Sequence, residues 1–129
     1  MTPTTIYVVT TGCYSGYAIV GVFDDAVLAE TAAVGVNGRV EEFPLNPLAD
    51  RLRNGLLPWV VSLARDGTAL RIYQPDHLVE ERPPFLYDVF HADPPTKAMQ
   101  STVWARDEAH AIKIVNEQRA QMIAEGLWP

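Results

Sequence analysis

Short runs of β-branched and aromatic residues, none long, recur along this chain between glycine and proline signals. That pattern constrains the fold more than any other feature. Ile6-Tyr7-Val8-Val9-Thr10, Tyr17-Ala18-Ile19-Val20-Gly21-Val22-Phe23, Trp59-Val60-Val61-Ser62-Leu63-Ala64 and Phe85-Leu86-Tyr87-Asp88-Val89-Phe90 all read as strands. Arg39 to Leu45, Leu70 to Tyr73 and Ser101 to Ala105 add further strands of the same kind. The hairpin signals between successive strands lead to the expectation of mainly antiparallel pairing. Asp66-Gly67 marks a tight turn with positive φ between two of the strands. Gly21, inside a strand, marks a bulge or a close approach.

Two segments carry helix signals instead. Asp24 or Asp25 offers a side-chain oxygen to the first turn of a helix through Ala26 to Ala33, which Gly35 and Asn37-Gly38 end. Asp107 caps a longer helix that stops at Gly126. In that helix Ala111, Ile112, Val115, Met122 and Ile123 share one face, and Arg106, His110, Lys113, Glu117 and Gln121 the other. Leu48 to Arg53 supports a single helical turn at most. Pro75 to Pro84 reads as a polar connection and Ala92 to Gln100 as an exposed loop. The expected fold is α+β: a mainly antiparallel sheet of about five to seven strands with two helices packed on one face. Its plan is an N-terminal β-β-α unit, a central hairpin and a C-terminal β-β-α unit sharing the sheet.

At 129 residues the chain is expected to be a single domain, 1–129, able to bury a core without staples. It is 48% hydrophobic and 20% charged, which fits a globular protein. No apolar run approaches the roughly 18 residues that span a bilayer. The opening Met1-Thr2-Pro3-Thr4-Thr5 has no basic residue and does not read as a secretory signal. One cysteine excludes an internal disulfide framework, so a reducing, cytoplasmic setting is expected. The net charge of −6 and the scattered basic residues argue against nucleic-acid binding.

Catalytic and metal motifs fail one by one. Cys13 has no basic neighbour to lower its thiol pKa. Ser15 in Gly12-Cys13-Tyr14-Ser15-Gly16 is not the G-x-S-x-G elbow, because the first glycine sits one position too early. The loop also joins strand to strand. His77, His91 and His110 match no zinc spacing, and Asp76-His77 and His91-x-Asp93 read as ordinary loop chemistry. Glu41-Glu42 and Glu80-Glu81 are adjacent pairs, so on a strand their side chains diverge into solvent. No lysine or following helix makes Thr11 to Gly16 a phosphate loop. No catalytic residue, metal or cofactor is assigned.

What remains is a loop rich in tyrosine and hydroxyl groups. Thr10, Thr11, Gly12, Tyr14, Ser15 and Tyr17 gather donors, acceptors and flat rings beside flexible glycine backbone. These residues are the candidate ligand site, able to stack a base or ring. Arg119, inside the apolar stripe of the last helix, joins them as an anion contact. Its alternative is a stem lying along the core edge with its head in water.

The same residues carry a resemblance. Tyr7-Val8-Val9-Thr10, Gly12, Tyr14-Ser15, Tyr17, Ile19 and Val22-Phe23 resemble the signature Y-V-V-T-S-G-x-Y-S-D-Y-x-I-x-x-V-F of a small uncharacterised domain family of phages and bacteria. Thr11 stands where that family has Ser, and Gly16 where it has Asp. The stretch Val103-Trp104-Ala105 to Ile112-Lys113 is similar to the closing helix of such proteins. The resemblance implies a phage accessory protein in the host cytoplasm, without an established activity. The expected function is therefore non-enzymatic binding that antagonises host defence by sequestering a small nucleotide-derived signal, as a homo-oligomer. The alternatives are a protein-interaction module that inhibits a host enzyme through its acidic surface and exposed apolar residues, or a small hydrolase or nuclease. In the first of these Leu127-Trp128-Pro129 anchors a partner or a dimer, unless Trp128 packs back onto the sheet.

Overall fold

The structure, a computed structural model, describes residues 4–92, 94 and 96–129. Met1–Pro3 and the Asp93 side of the His91-x-Asp93 pair lie outside the described residues. The α+β class and the antiparallel pairing are as expected. The elements are β1 (Thr5–Thr11), β2 (Ala18–Phe23), α1 (Ala26–Val36), β3 (Arg39–Pro44), α2 (Ala49–Arg53), β4 (Leu57–Ala64), β5 (Ala69–Tyr73), β6 (Arg82–Val89), β7 (Thr96–Ala105) and α3 (Glu108–Ala124). The chain divides into two compact units, Met1–Pro47 and Leu48–Pro129. The strands do not share one sheet. They form a three-stranded sheet, β2-β1-β3, and a four-stranded sheet, β5-β4-β7-β6. The early strand β3 returns to the free edge of β1 and ends at Pro44, which has no N–H to extend the ladder.

In the first unit Val9, Ala29 and Ala33 form the core, with Tyr7, Phe23, Ala32 and Val40 packed around them. Alanines let α1 lie close on the sheet. Asp25 caps the helix by accepting from the N–H groups of Val27 and Leu28 at 2.8 and 3.2 Å. Asn37 closes it in the left-handed region at φ 53°. The register of β1 on β2 shifts between Val9 and Thr10, so the bulge falls beside Gly21. A Cβ there would meet the Phe23 ring at 2.9 Å, so both readings of Gly21 hold.

In the second unit β4 and β7 are the two inner strands. Val61, Leu63, Met99, Val103 and Ala105 point at Ala111 and Val115 of α3, and Ile114, Met122 and Ile123 extend the contact. Two expectations give way here. Ala92 to Gln100 is not an exposed loop throughout, because β7 begins at Thr96 and buries Ala98 and Met99 completely. The short apolar stretch lacks β-branched residues, but pairing with Ala64 and Leu63 on an inner strand overrides that. Likewise β6 begins at Arg82, inside the expected connection. Pro83 and Pro84 are tolerated because β6 is an edge strand with an irregularity between Arg82 and Phe85. Trp128 packs back onto the sheet rather than standing out as an anchor. It is buried in the core beside Val61 and Met99, and its carbonyl accepts from Arg65 at 3.3 Å. Leu127 remains exposed.

The Met99 side chain has no solvent exposure and sits between α3 and the sheet. Met99→Ala should cost about 2–5 kcal/mol in a denaturant titration followed by circular dichroism. Asp25→Ala should cost about 1 kcal/mol through the lost cap.

Candidate functional site

The Thr10–Tyr17 loop is a projecting turn. Gly12 has φ 75°, and a Cβ there would lie 2.1 Å from the Gly16 carbonyl oxygen, so only glycine fits. Gly16 N–H donates to the Cys13 carbonyl and Tyr17 N–H to the Tyr14 carbonyl, closing a short 3-10 turn over Tyr14–Gly16. Tyr14 sits at φ 49° with its ring 97% exposed. Cys13 and Ser15 are exposed beside it. Thr11 is half-buried and Thr10 fully buried, its hydroxyl without a partner.

Tyr17 turns back over its own sheet. Its hydroxyl donates to Glu41 Oε2 at 2.9 Å, so the ring crosses β1 from β2 to β3. Arg39 completes the cluster. It donates to the Gly12 carbonyl at 2.9 Å and stands 5.8 Å from the Tyr17 ring centroid. The Glu41 bond raises the Tyr17 pKa above the usual phenol value, with smaller contributions from burial and the Glu41 charge. Arg39 and Glu41 were legible as a pair, since residues two apart on a strand share a face. Sequence reading missed them because Glu41 was grouped with Glu42.

Arg119 is a residue of α3. It belongs to the second unit, where Nη1 donates to the Arg65 carbonyl at 2.7 Å and Nε to Asn116 at 2.8 Å. Its guanidinium lies over Gly67, and a Cβ there would meet it at 3.4 Å. Arg119 thus ties α3 to the β4–β5 turn. Thr10 to Tyr17 are brought together within the first unit, and Arg119 belongs to the second.

The second unit holds a cleft of about 620 Å³ on the sheet face opposite α3. Val60, Gln100 and Thr102 form its floor, from neighbouring positions on β4 and β7. Tyr73 of β5 and Arg82 of β6 stand on either side. The segment from Pro75 to Glu81 crosses one rim, bringing His77, Val79 and Glu80 to the edge. Two bonds pin that segment. Trp104 Nε1 donates to the Val79 carbonyl at 2.8 Å, and Arg51 grips Glu81 with two bonds of 2.6 Å each. Arg51 also stands 5.7 Å from the Trp104 ring centroid. Glu81 is thus an ion-pair partner rather than a simple solvated group. Its carboxyl is held below the usual range, chiefly by the Arg51 hydrogen bonds.

Within the cleft Gln100 Oε1 accepts from Ser62 at 3.2 Å, which leaves the amide N–H groups to donate outward. Among the described residues Arg82 has no ion-pair partner. Asp76 and His77 bond each other at 2.6 Å as exposed neighbours, which lowers the Asp76 pKa. Among the described residues no group of three or more His, Cys, Asp or Glu side chains is placed to hold a metal. No helix among them is long and apolar enough to cross a membrane. Sequence reading missed this cleft because its residues come from four strands and one connection, with no local spacing. The alternation on β7, Gln100 and Thr102 on one face, was its one available signal.

No family model, curated protein or solved structure matches the chain.

The depressed Glu81 pKa gives a signed prediction. The pairing stabilises the fold above the usual carboxylate pKa and is lost as pH falls through the lower, folded value. In Arg51→Met the Glu81 carboxyl should titrate at higher pH, read by carbon NMR. An unchanged titration would mean that Arg51 does not hold the rim.

Proposed function

We propose that this chain is a non-enzymatic binding protein that takes a small, flat, polar molecule of nucleobase type into the cleft over the four-stranded sheet. The observation that supports this reading is the cleft's chemistry. An apolar floor at Val60 lies beside the Gln100 amide and Thr102 hydroxyl, with the Tyr73 ring on one side and the Arg82 guanidinium on the other. An amide and a hydroxyl recognise the edge of a base, and the phenol ring offers a stacking surface. With Glu81 paired to Arg51, Glu80 is the unpaired carboxylate on the rim among the described residues, and Arg82 is the group that would meet a single anionic substituent. The likeness of the first two strands to phage-borne domains supports the finer reading, that sequestering such a molecule antagonises a host defence signal in the host cytoplasm.

A second reading rests on Tyr14. A side chain almost wholly exposed, on backbone held at positive φ, suits insertion into a partner protein better than enclosure of a small ligand. In this reading the turn docks onto a host enzyme.

Isothermal titration calorimetry against nucleobases, nucleosides, cyclic nucleotides and ADP-ribose-type compounds separates the two. The first reading expects saturable heat with at least one compound. Tyr73→Ala and Gln100→Leu should each weaken binding about tenfold or more, while Tyr14→Ala leaves it unchanged. No heat across the panel sinks the first reading. Loss of host-enzyme inhibition in Tyr14→Ala alone would support the second.

A further inference from the structure

We propose that the cleft over the four-stranded sheet selects 6-oxopurines, bases of guanine or hypoxanthine type, over adenine, and that buried Ser62 sets this choice by fixing the Gln100 amide. The selectivity belongs to the same site as the binding reading above and rests on it. Ser62 is 1% exposed on inner strand β4, directly opposite Gln100 of β7. A buried hydroxyl hydrogen needs an acceptor. Among the described residues the acceptor bonded to Ser62 Oγ is Gln100 Oε1, at 3.2 Å. Turning the amide over would bring its NH2 group to Ser62 and leave the hydroxyl hydrogen unpaired inside the sheet. The amide is therefore held with its oxygen on Ser62 and its NH2 group toward the cleft.

That orientation decides which base edge can pair. A glutamine reads adenine with both ends of its amide: the oxygen accepts from the N6 amino group, and the NH2 group donates to N7. Here the oxygen is turned to Ser62, so an amino group entering the cleft meets donors. Arg82, the cation lining the same cleft, also carries donors only. The Thr102 hydroxyl can donate or accept, so it suits either class and does not discriminate.

A 6-oxopurine offers the complement. Its O6 and N7 are adjacent acceptors on one edge, matched to the Gln100 NH2 group and the Arg82 guanidinium. On the other side of O6 lies N1–H, a donor. Glu80 at the rim is the acceptor for it, because Glu81 is committed to Arg51 at 2.6 Å. Adenine reverses the pattern, with an amino group in place of O6 and an unprotonated N1 that would face the carboxylate. Uracil has a carbon, not an acceptor, where a purine has N7. A cleft of about 620 Å³ has room for a purine and its sugar.

Isothermal titration calorimetry of the full chain with guanosine, inosine, 7-deazaguanosine, adenosine and uridine tests this. Guanosine and inosine should bind about tenfold or more tighter than adenosine, since the wrong base leaves polar groups unpaired. 7-Deazaguanosine, which lacks the N7 acceptor, should fall toward adenosine. In Ser62→Ala the amide is free to turn, so the guanosine-to-adenosine ratio should shrink about tenfold. General damage to the fold would weaken both nucleosides alike, whereas the ratio reports the amide. Glu80→Ala, at an exposed position, should weaken guanosine and inosine but not adenosine. Adenosine binding as tightly as guanosine overturns the selectivity and leaves the cleft a binding site. So does heat from uridine alone, or a wild-type ratio in both folded variants. No heat with any of these nucleosides also overturns it; heat from another compound of the wider panel then leaves the binding reading standing, and silence across that panel sinks both.

Discussion

The second unit depends on one packing contact: α3 laid across the inner strand pair β4–β7. Leu63 and Met99 are cross-strand partners on that pair, and both are wholly buried beneath the helix. Ala111 and Val115, one turn apart, supply the matching face. Burying such side chains is the main favourable term in folding, at about 25 cal/mol per Å² of apolar surface. The rest of the unit is arranged around it. Trp128 closes one end, and Arg119 and Arg65 bind the hairpin turn and the last residues to the same core.

That packing frees the opposite sheet face for something else. On an inner strand residues alternate between faces, so the positions beside Met99 and Val103 are Gln100 and Thr102. They become a polar floor because their neighbours are committed to the core. The Pro75–Glu81 segment would otherwise be an open connection. Arg51 of α2 and Trp104 of β7 hold it against the floor, and a cleft results. The binding reading thus follows from the same alternation that builds the core.

The first unit works differently. Its core is small and alanine-lined, and its helix and one edge strand leave apolar side chains in solvent. The Tyr17–Glu41–Arg39 cluster covers part of the sheet face away from α1 and buries the Thr10 hydroxyl beneath it. The loop that stood out as a ligand site is therefore divided. Thr10 and Tyr17 belong to the sheet's own packing, while Tyr14 and Ser15 face outward.

Sequence alone determined what short-range physics controls. The α+β class, the antiparallel pairing, the Asp25 and Asp107 caps and the Asp66-Gly67 turn all follow from residue type and spacing within a few positions. Long-range partnership was not legible. Ala98 and Met99 have no strong strand signature, and only an inner place in the sheet makes them one. Glu81 and Arg51 are far apart in the chain, as are Tyr17 and Glu41. Division of the strands into two sheets, placement of Arg119 on the hairpin turn, burial of Trp128 and assembly of the cleft were decided by tertiary structure. The reason is physical: periodicity reports which face of an element is apolar, but not which other element will cover it.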